Sequence, residues 1–208
     1  MGARVEEMIV QATRAVVERD VDLARQTILS DRQVNADEIE IDRFCLVILA
    51  RRNPVATDLR FVTLVLKMVT DLERIGDLAV NVCERAQDLA TLPASPFGLG
   101  LERMGALAGE MVRQALDAFV ASDDLAAHHV IARDDEMDDI YNRYFTEVLD
   151  DMLAEGGNVR RGVQLQAAAK YYERIGDHGT NLAEHVLFLV RGEDHRHRGK
   201  RPAETPGK

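Results

Sequence analysis

Glu73-Arg74-Ile75-Gly76-Asp77 is repeated letter for letter at Glu173-Arg174-Ile175-Gly176-Asp177, 100 positions later. The echo runs on, since Asn81 and Glu84 reappear as Asn181 and Glu184. A repeat of this kind marks a duplicated unit. On a helix of 3.6 residues per turn, Glu73, Asp77, Asn81 and Glu84 fall within an arc of roughly 80°, so each unit carries an acidic stripe. The stripe opposes its own helix. Like charges four residues apart cost a few tenths of a kcal/mol, and a glycine inside a helix costs roughly 1 kcal/mol against alanine. The pattern predicts that something compensates.

The duplication reaches the rest of each half. Met1-Gly2-Ala3 and Glu7-Met8 match Met104-Gly105-Ala106 and Glu110-Met111 at an offset of 103, and Asp20 and Asp31 match Asp123 and Asp134. Apolar residues at helical spacing predict a first helix over Val5 to Val17 and a second from about Asp20 to Arg52. Asn53-Pro54 ends the second helix, because asparagine tolerates a C-cap conformation and proline suits the first turn of a new helix. The third helix then runs to about Ala90. Thr91 to Gly98, with two prolines and a glycine, reads as the linker between halves. A fourth helix is expected over Leu99 to Ala121, a fifth from N-caps at Ser122 and Asp123 to Glu155, a turn at Gly156-Gly157-Asn158, and a sixth helix over Val159 to Arg191. Residues 192–208 are polar and read as a disordered tail. The fold class expected is all-α, two tandem three-helix bundles related by internal duplication, over residues 1–92 and 98–191.

Composition agrees with an all-α chain: five prolines, no tryptophan, 46% hydrophobic residues and no convincing strand among 208 residues. A net charge of -10 argues against nonspecific nucleic-acid binding, since phosphates would be repelled, and favours cationic partners or metals. With no apolar run long enough to span a membrane and no signal-peptide region, a cytoplasmic location is expected. Cys45 and Cys83 form no CxxC and read as buried thiols.

The second helix has its own acidic series, Asp31, Asn35, Glu38 and Asp42, within about 60°. Folding back at Asn53-Pro54 brings Asp31 level with Glu73 and Asp77. By the same count from Gly157, Asp138 comes level with Glu173 and Asp177, with Asp134 about one turn further along. Each bundle thus brings two i,i+4 pairs of oxygen side chains onto adjacent helices. Such a group repels itself unless solvent or a cation intervenes, and oxygen-only ligands favour the hard divalent ions Mg, Mn, Fe or Ca over Zn. Lying away from the apolar face of Met68, Leu72, Ile75 and Ala79, the stripe is expected to be shallow and solvent-facing.

With these motifs in view, the chain resembles the PhoU family of phosphate-uptake regulators: Pro54-Val55-Ala56-Thr57-Asp58-Leu59-Arg60, then Glu73 to Asp77 and Asn81, and the second glutamate-to-aspartate signature. The resemblance covers nearly all of residues 1 to 191. It implies paired three-helix bundles whose acidic motifs bind divalent ions or clusters, with Fe, Mn and Mg as candidates. Carried over, the ligand pairs are Asp31 with Asn35 and Glu73 with Asp77, then Asp134 with Asp138 and Glu173 with Asp177. Asn35 departs from an all-acid pattern, so the first site is expected to be the weaker. The resemblance also implies a noncatalytic negative regulator of the high-affinity phosphate transporter and of the phosphate-starvation response. Its partners would be the transporter's nucleotide-binding subunit and a phosphate-sensing histidine kinase, with contact to the membrane only through partners.

Two rival readings are weaker. A carboxylate-bridged dimetal enzyme builds its site on Glu-x-x-His, a spacing that does not occur here. A purely structural helical scaffold is the bland alternative, and it would keep its melting temperature and partner affinity in EDTA. His178 is the one histidine embedded in a motif and would be the candidate for phosphotransfer, but reads as a surface residue, as do His128 and His129. His195 and His197 lie in the tail. A last expectation concerns length. A first helix of about 29 Å set against a second of roughly 50 Å leaves Phe44, Ile48, Leu49, Phe61, Val62 and Val65 short of a third wall. The expectation is either a natural start upstream of Met1 or a second subunit covering this surface in a homodimer.

Overall fold

The protein is described by a computed structural model over residues 1–154 and 158–192. Among these residues there are seven α-helices and no strand: α1 (Gly2–Glu18), α2 (Val21–Arg52), α3 (Ala56–Ala90), α4 (Gly98–Ala121), α5 (Asp124–Ala132), α6 (Asp134–Leu153) and α7 (Val159–Arg191). The helix expected from Ser122 to Glu155 is divided at Arg133, which closes the last turn of α5 and opens α6. Ser122 is not an N-cap but the left-handed C-cap of α4, with φ 52°. The cap is Asp123, which accepts from the backbone N–H of Leu125 and Ala126, as Asp20 does from Asp22 and Leu23. The expected turn at Gly156-Gly157 and the expected tail from residue 193 onward lie outside the described residues.

α1 to α3 form one three-helix bundle and α4 to α7 the other, so the duplicated all-α architecture is the fold. The halves are not separate bodies. α1 packs on α4 and α3 on α7, so these four helices close a central layer, with α2 on one flank and α5–α6 on the other. One continuous apolar core runs through both halves, from Ile9, Val82 and Ile75 to Met111, Ile175 and Leu182. At its centre the Tyr172 hydroxyl donates to Thr13 Oγ1 at 3.0 Å, tying α7 to α1.

α1 begins beside Asp37 on α2, whose carboxylate pairs with the Met1 ammonium at 3.2 Å. Beyond that point Ile41, Phe44, Cys45, Ile48, Phe61 and Val62 line a groove between α2 and α3, with Phe44 66% exposed. The second half fills the corresponding place from its own chain. α4 starts further upstream, so that Phe97 meets Tyr144 edge to face and Leu101 is buried.

Candidate functional site

Close helix packing accounts for the two signature glycines. A Cβ at Gly76 would lie 3.2 Å from Asp31 Oδ1 and 3.4 Å from Val34, and one at Gly176 would lie 3.3 Å from Met137. In each half the glycine lets the signature helix approach its neighbour closely, α3 against α2 and α7 against α6.

That approach sets the carboxylates side by side. Asn35 donates to Asp31 Oδ2 at 2.9 Å, while Asp31 Oδ1 and Asn35 Oδ1 are buried without a hydrogen-bond partner. Burial, and then the charge of Asp77, raise the Asp31 pKa. Glu73 is raised likewise by burial and then by Asp77, with Glu38 adding to the effect. In the second half Asp134 is raised by burial and then by Asp138, and accepts from the Thr180 hydroxyl at 3.3 Å. Asp177 is pushed up to about 6, first by burial and then by Glu173 and Asp134. Glu173 Oε2 is a further buried oxygen without a partner. A proton held this readily by carboxyl groups is the response of a crowded acidic site with no bound cation.

All eight expected residues therefore fall into two groups, one per half. Among the described residues, however, no three His, Cys, Asp or Glu side chains close around a point that would hold an ion. Lysine and arginine side chains stand among them. Lys170 pairs with Glu173 Oε1 at 2.6 Å, and Arg74 lies 3.4 Å from Asp77 and 3.5 Å from Glu73. The site is also less open than the helical wheel suggested. Glu73 and Glu173 are only 18% and 12% exposed, because the close helix approach partly covers them, while Asp77 at 44% meets solvent. An all-oxygen set with orphaned buried oxygens and raised acid groups fits a hard divalent ion. Asp31, Asn35, Glu73 and Asp77 would hold it in the first half, and Asp134, Asp138, Glu173 and Asp177 in the second.

Sequence reasoning missed four participants. Glu38, in the α2 stripe, adds its charge at Glu73, and its position on the α2 wheel is the signal for that. Thr180 and Lys170 flank the second signature at short helical spacings, which could have marked them. Asp71 carried no signal, because its partners lie on α7: His178 Nδ1 at 2.9 Å and His185 Nε2 at 3.0 Å. His178 is thus a half-buried partner of Asp71, not a plain surface histidine. His128 and His129 are exposed.

The model of the PhoU domain matches this chain twice, over residues 1–86 and 101–186. The chain belongs to the PhoU family. It is 40% identical to the phosphate-specific transport system accessory protein PhoU homolog of Pseudomonas putida over 210 aligned positions, covering 100% of this chain and 82% of that protein. It is 33% identical to the phosphate-specific transport system accessory protein PhoU of Escherichia coli K12, covering 96% of this chain and 83% of that one. The crystal structure of PhoU from Pseudomonas aeruginosa superposes with a TM-score of 0.90 at 39% identity, covering 93% of each chain. The twofold match of the family model falls on the two halves that the repeated signature marks, so in this PhoU-family chain the acidic stripe is part of the repeating unit.

Proposed function

We propose that this PhoU-family chain is a noncatalytic, cytoplasmic, metal-binding regulator that restrains phosphate uptake and the phosphate-starvation response. The observation that carries the metal part is the doubled acidic site with buried, unpartnered oxygens at Asp31 and Glu173. The printed names of the relatives, accessory proteins of the phosphate-specific transport system, support the regulatory part. A bound divalent ion would supply positive charge that neutralises the crowded carboxylates. The chain's own residues do the rest: Glu73 and Asp77 present oxygens from α3 to Asp31 and Asn35 on α2, and Glu173 and Asp177 present theirs from α7 to Asp134 and Asp138 on α6. Gly76 and Gly176 keep the helices near enough for this.

The partners in this reading are the transporter's nucleotide-binding subunit and a phosphate-sensing histidine kinase. Among the described residues no helix is long and apolar enough to cross a membrane, which fits attachment to the membrane through those partners. The working form in this reading is a homodimer. Elemental analysis of the untagged protein tests the metal, and light scattering tests the dimer. Deletion in the parent organism should leave the starvation response switched on in high phosphate; a deletion strain with a normally repressed response would refute the regulatory reading.

A further inference from the structure

The end of the molecule at the Asn53-Pro54 hairpin differs from the rest in charge. Residues 43–67 carry Arg43, Arg51, Arg52, Arg60 and Lys67 against a single acid, Asp58, in a chain whose net charge is -10. Elsewhere arginines such as Arg14, Arg133, Arg161 and Arg191 are taken up by carboxylates. Among the described residues none of the five at the hairpin makes an ion pair. Arg60 lies over the Phe188 ring, 5.9 Å from its centre, and the other four are exposed. The acidic sites do not cancel this charge. Asp31 and Glu73 lie roughly 30 Å back along the hairpin, several times the screening length of about 8 Å at physiological salt.

Apolar side chains stand exposed at the same end. Val55, in the turn between α2 and α3, is 74% exposed, and Leu46 on α2 and Leu59 on α3 are exposed behind it. The α4–α5 corner reaches this end too, since Phe119 stacks on Phe61 and Arg191, closing α7, pairs with Asp124. Next to them in the chain, Val120 and Leu125 are exposed. A single exposed valine needs no explanation, but several apolar side chains set among unpaired arginines are the composition of a surface made for the lipid headgroup boundary. There arginines meet anionic phosphates, and apolar side chains reach past them. A folded acidic partner would have to present a hollow matched to this convex tip, with about 800 Å² buried on each side. Lipid closes around a projecting turn of any shape.

We propose that this end of the chain docks directly on an anionic lipid surface, with Arg51 and Arg52 at the headgroup phosphates and Val55 reaching between them. The proposal goes beyond attachment through partners and needs no metal in either acidic site. The chain has no tryptophan, so Val55→Trp places a sole indole at the turn. Titrating that variant in EDTA and low salt with vesicles of phosphatidylglycerol and phosphatidylcholine should shift its emission to the blue; vesicles of phosphatidylcholine alone should not. Arg51→Gln with Arg52→Gln should weaken binding about tenfold or more, and salt at about 0.5 M should weaken it likewise. Leu153→Trp, exposed at the end of α6, remote from the hairpin, should show no shift. Co-sedimentation of the unmodified chain with the same vesicles checks that the indole does not create the affinity. All these positions are exposed, so the variants should keep the fold. No co-sedimentation of the unmodified chain, unchanged binding in the double arginine variant, or an equal shift in Leu153→Trp would overturn the proposal. So would loss of a protein partner in the arginine variant without any vesicle binding, which would assign this end to an acidic protein instead.

Discussion

Asp31 Oδ1 lies over Gly76, buried and without a hydrogen-bond partner, at a point where a Cβ on residue 76 would come within 3.2 Å of it. Gly76→Ala therefore has two opposed effects. Alanine favours the helix by roughly 1 kcal/mol, while the added methyl must push Asp31 or α2 aside by a few tenths of an ångström. The expected result is a stability change within about 1 kcal/mol, read by urea unfolding, together with loss of ion binding in the first half. A variant that binds Mn²⁺ as the unmodified chain does would show that the close approach at Gly76 is not part of the site.

Silencing the second site should leave the helices intact. Glu173→Gln with Asp177→Asn removes two charges from a group that repels itself, and no cavity opens, because the replacements keep their size. Circular dichroism should show unchanged helix content, and the metal-free protein at pH 7 should change stability by less than about 1 kcal/mol, relief of repulsion at the partly exposed Asp177 being offset by loss of the Lys170–Glu173 ion pair. Bound metal should fall by the second site's share. A stoichiometry equal to that of the unmodified chain would remove these residues from the ligand set.

The pH dependence follows with a definite sign. A folded-state pKa raised to about 6 at Asp177 means that the folded chain holds the proton more tightly than the unfolded chain does. That contribution is most favourable below the ordinary value of 3.8 and is lost as pH rises through about 6. Asp71 acts in the opposite sense: its stabilisation is present above 3.8 and is lost as pH falls towards about 2, outside the same window. The metal-free chain should therefore lose stability between about pH 4 and pH 6, and Asp177→Asn should flatten that slope in thermal melts. With Mn²⁺ present the trend should reverse, because protons compete with the ion below about pH 6. Melting curves for Asp177→Asn that run parallel to those of the unmodified chain would contradict this account.

The boundaries of α1 to α4, the hairpin at Asn53-Pro54 and the level of the acidic residues across α2–α3 and α6–α7 were legible because each rests on local chemistry, whereas Ser122, read as an N-cap, closes α4 instead. Caps, prolines and helical periodicity are all written within a few residues. The break at Arg133 leaves a local mark, the acidic first turn Asp134-Asp135-Glu136 of α6, but the same carboxylates also fit an unbroken acidic helix. The pairing of Asp71 with His178 and His185 was hidden because it joins residues more than 100 positions apart. The acidic stripe was readable as a stripe, but its depth was not. How far Glu73 and Glu173 are covered depends on how closely the helices approach, and that closeness follows from glycines whose wheel position says only that they are small.

The joint between halves at α1 and α4 offers a test of how tightly the fold is built. Gly105 packs directly on Thr13, so that a Cβ there would overlap the threonine's Oγ1 and Cγ2. The threonine cannot simply turn away. Its hydroxyl donates to Ile9 O at 2.8 Å and accepts from the fully buried Tyr172 at 3.0 Å. Gly105→Ala should therefore destabilise the chain by about 1 to 3 kcal/mol, in spite of alanine's better helix propensity. Thr13→Ala alone should cost about 1 to 3 kcal/mol, because the Tyr172 hydroxyl is left buried without its partner. Combined, the two changes should cost less than their sum, since removing the threonine's outer atoms makes room for most of the new methyl. Urea unfolding of all four proteins measures that difference directly. Strictly additive effects would mean that Gly105 is required for some reason other than the close contact with Thr13.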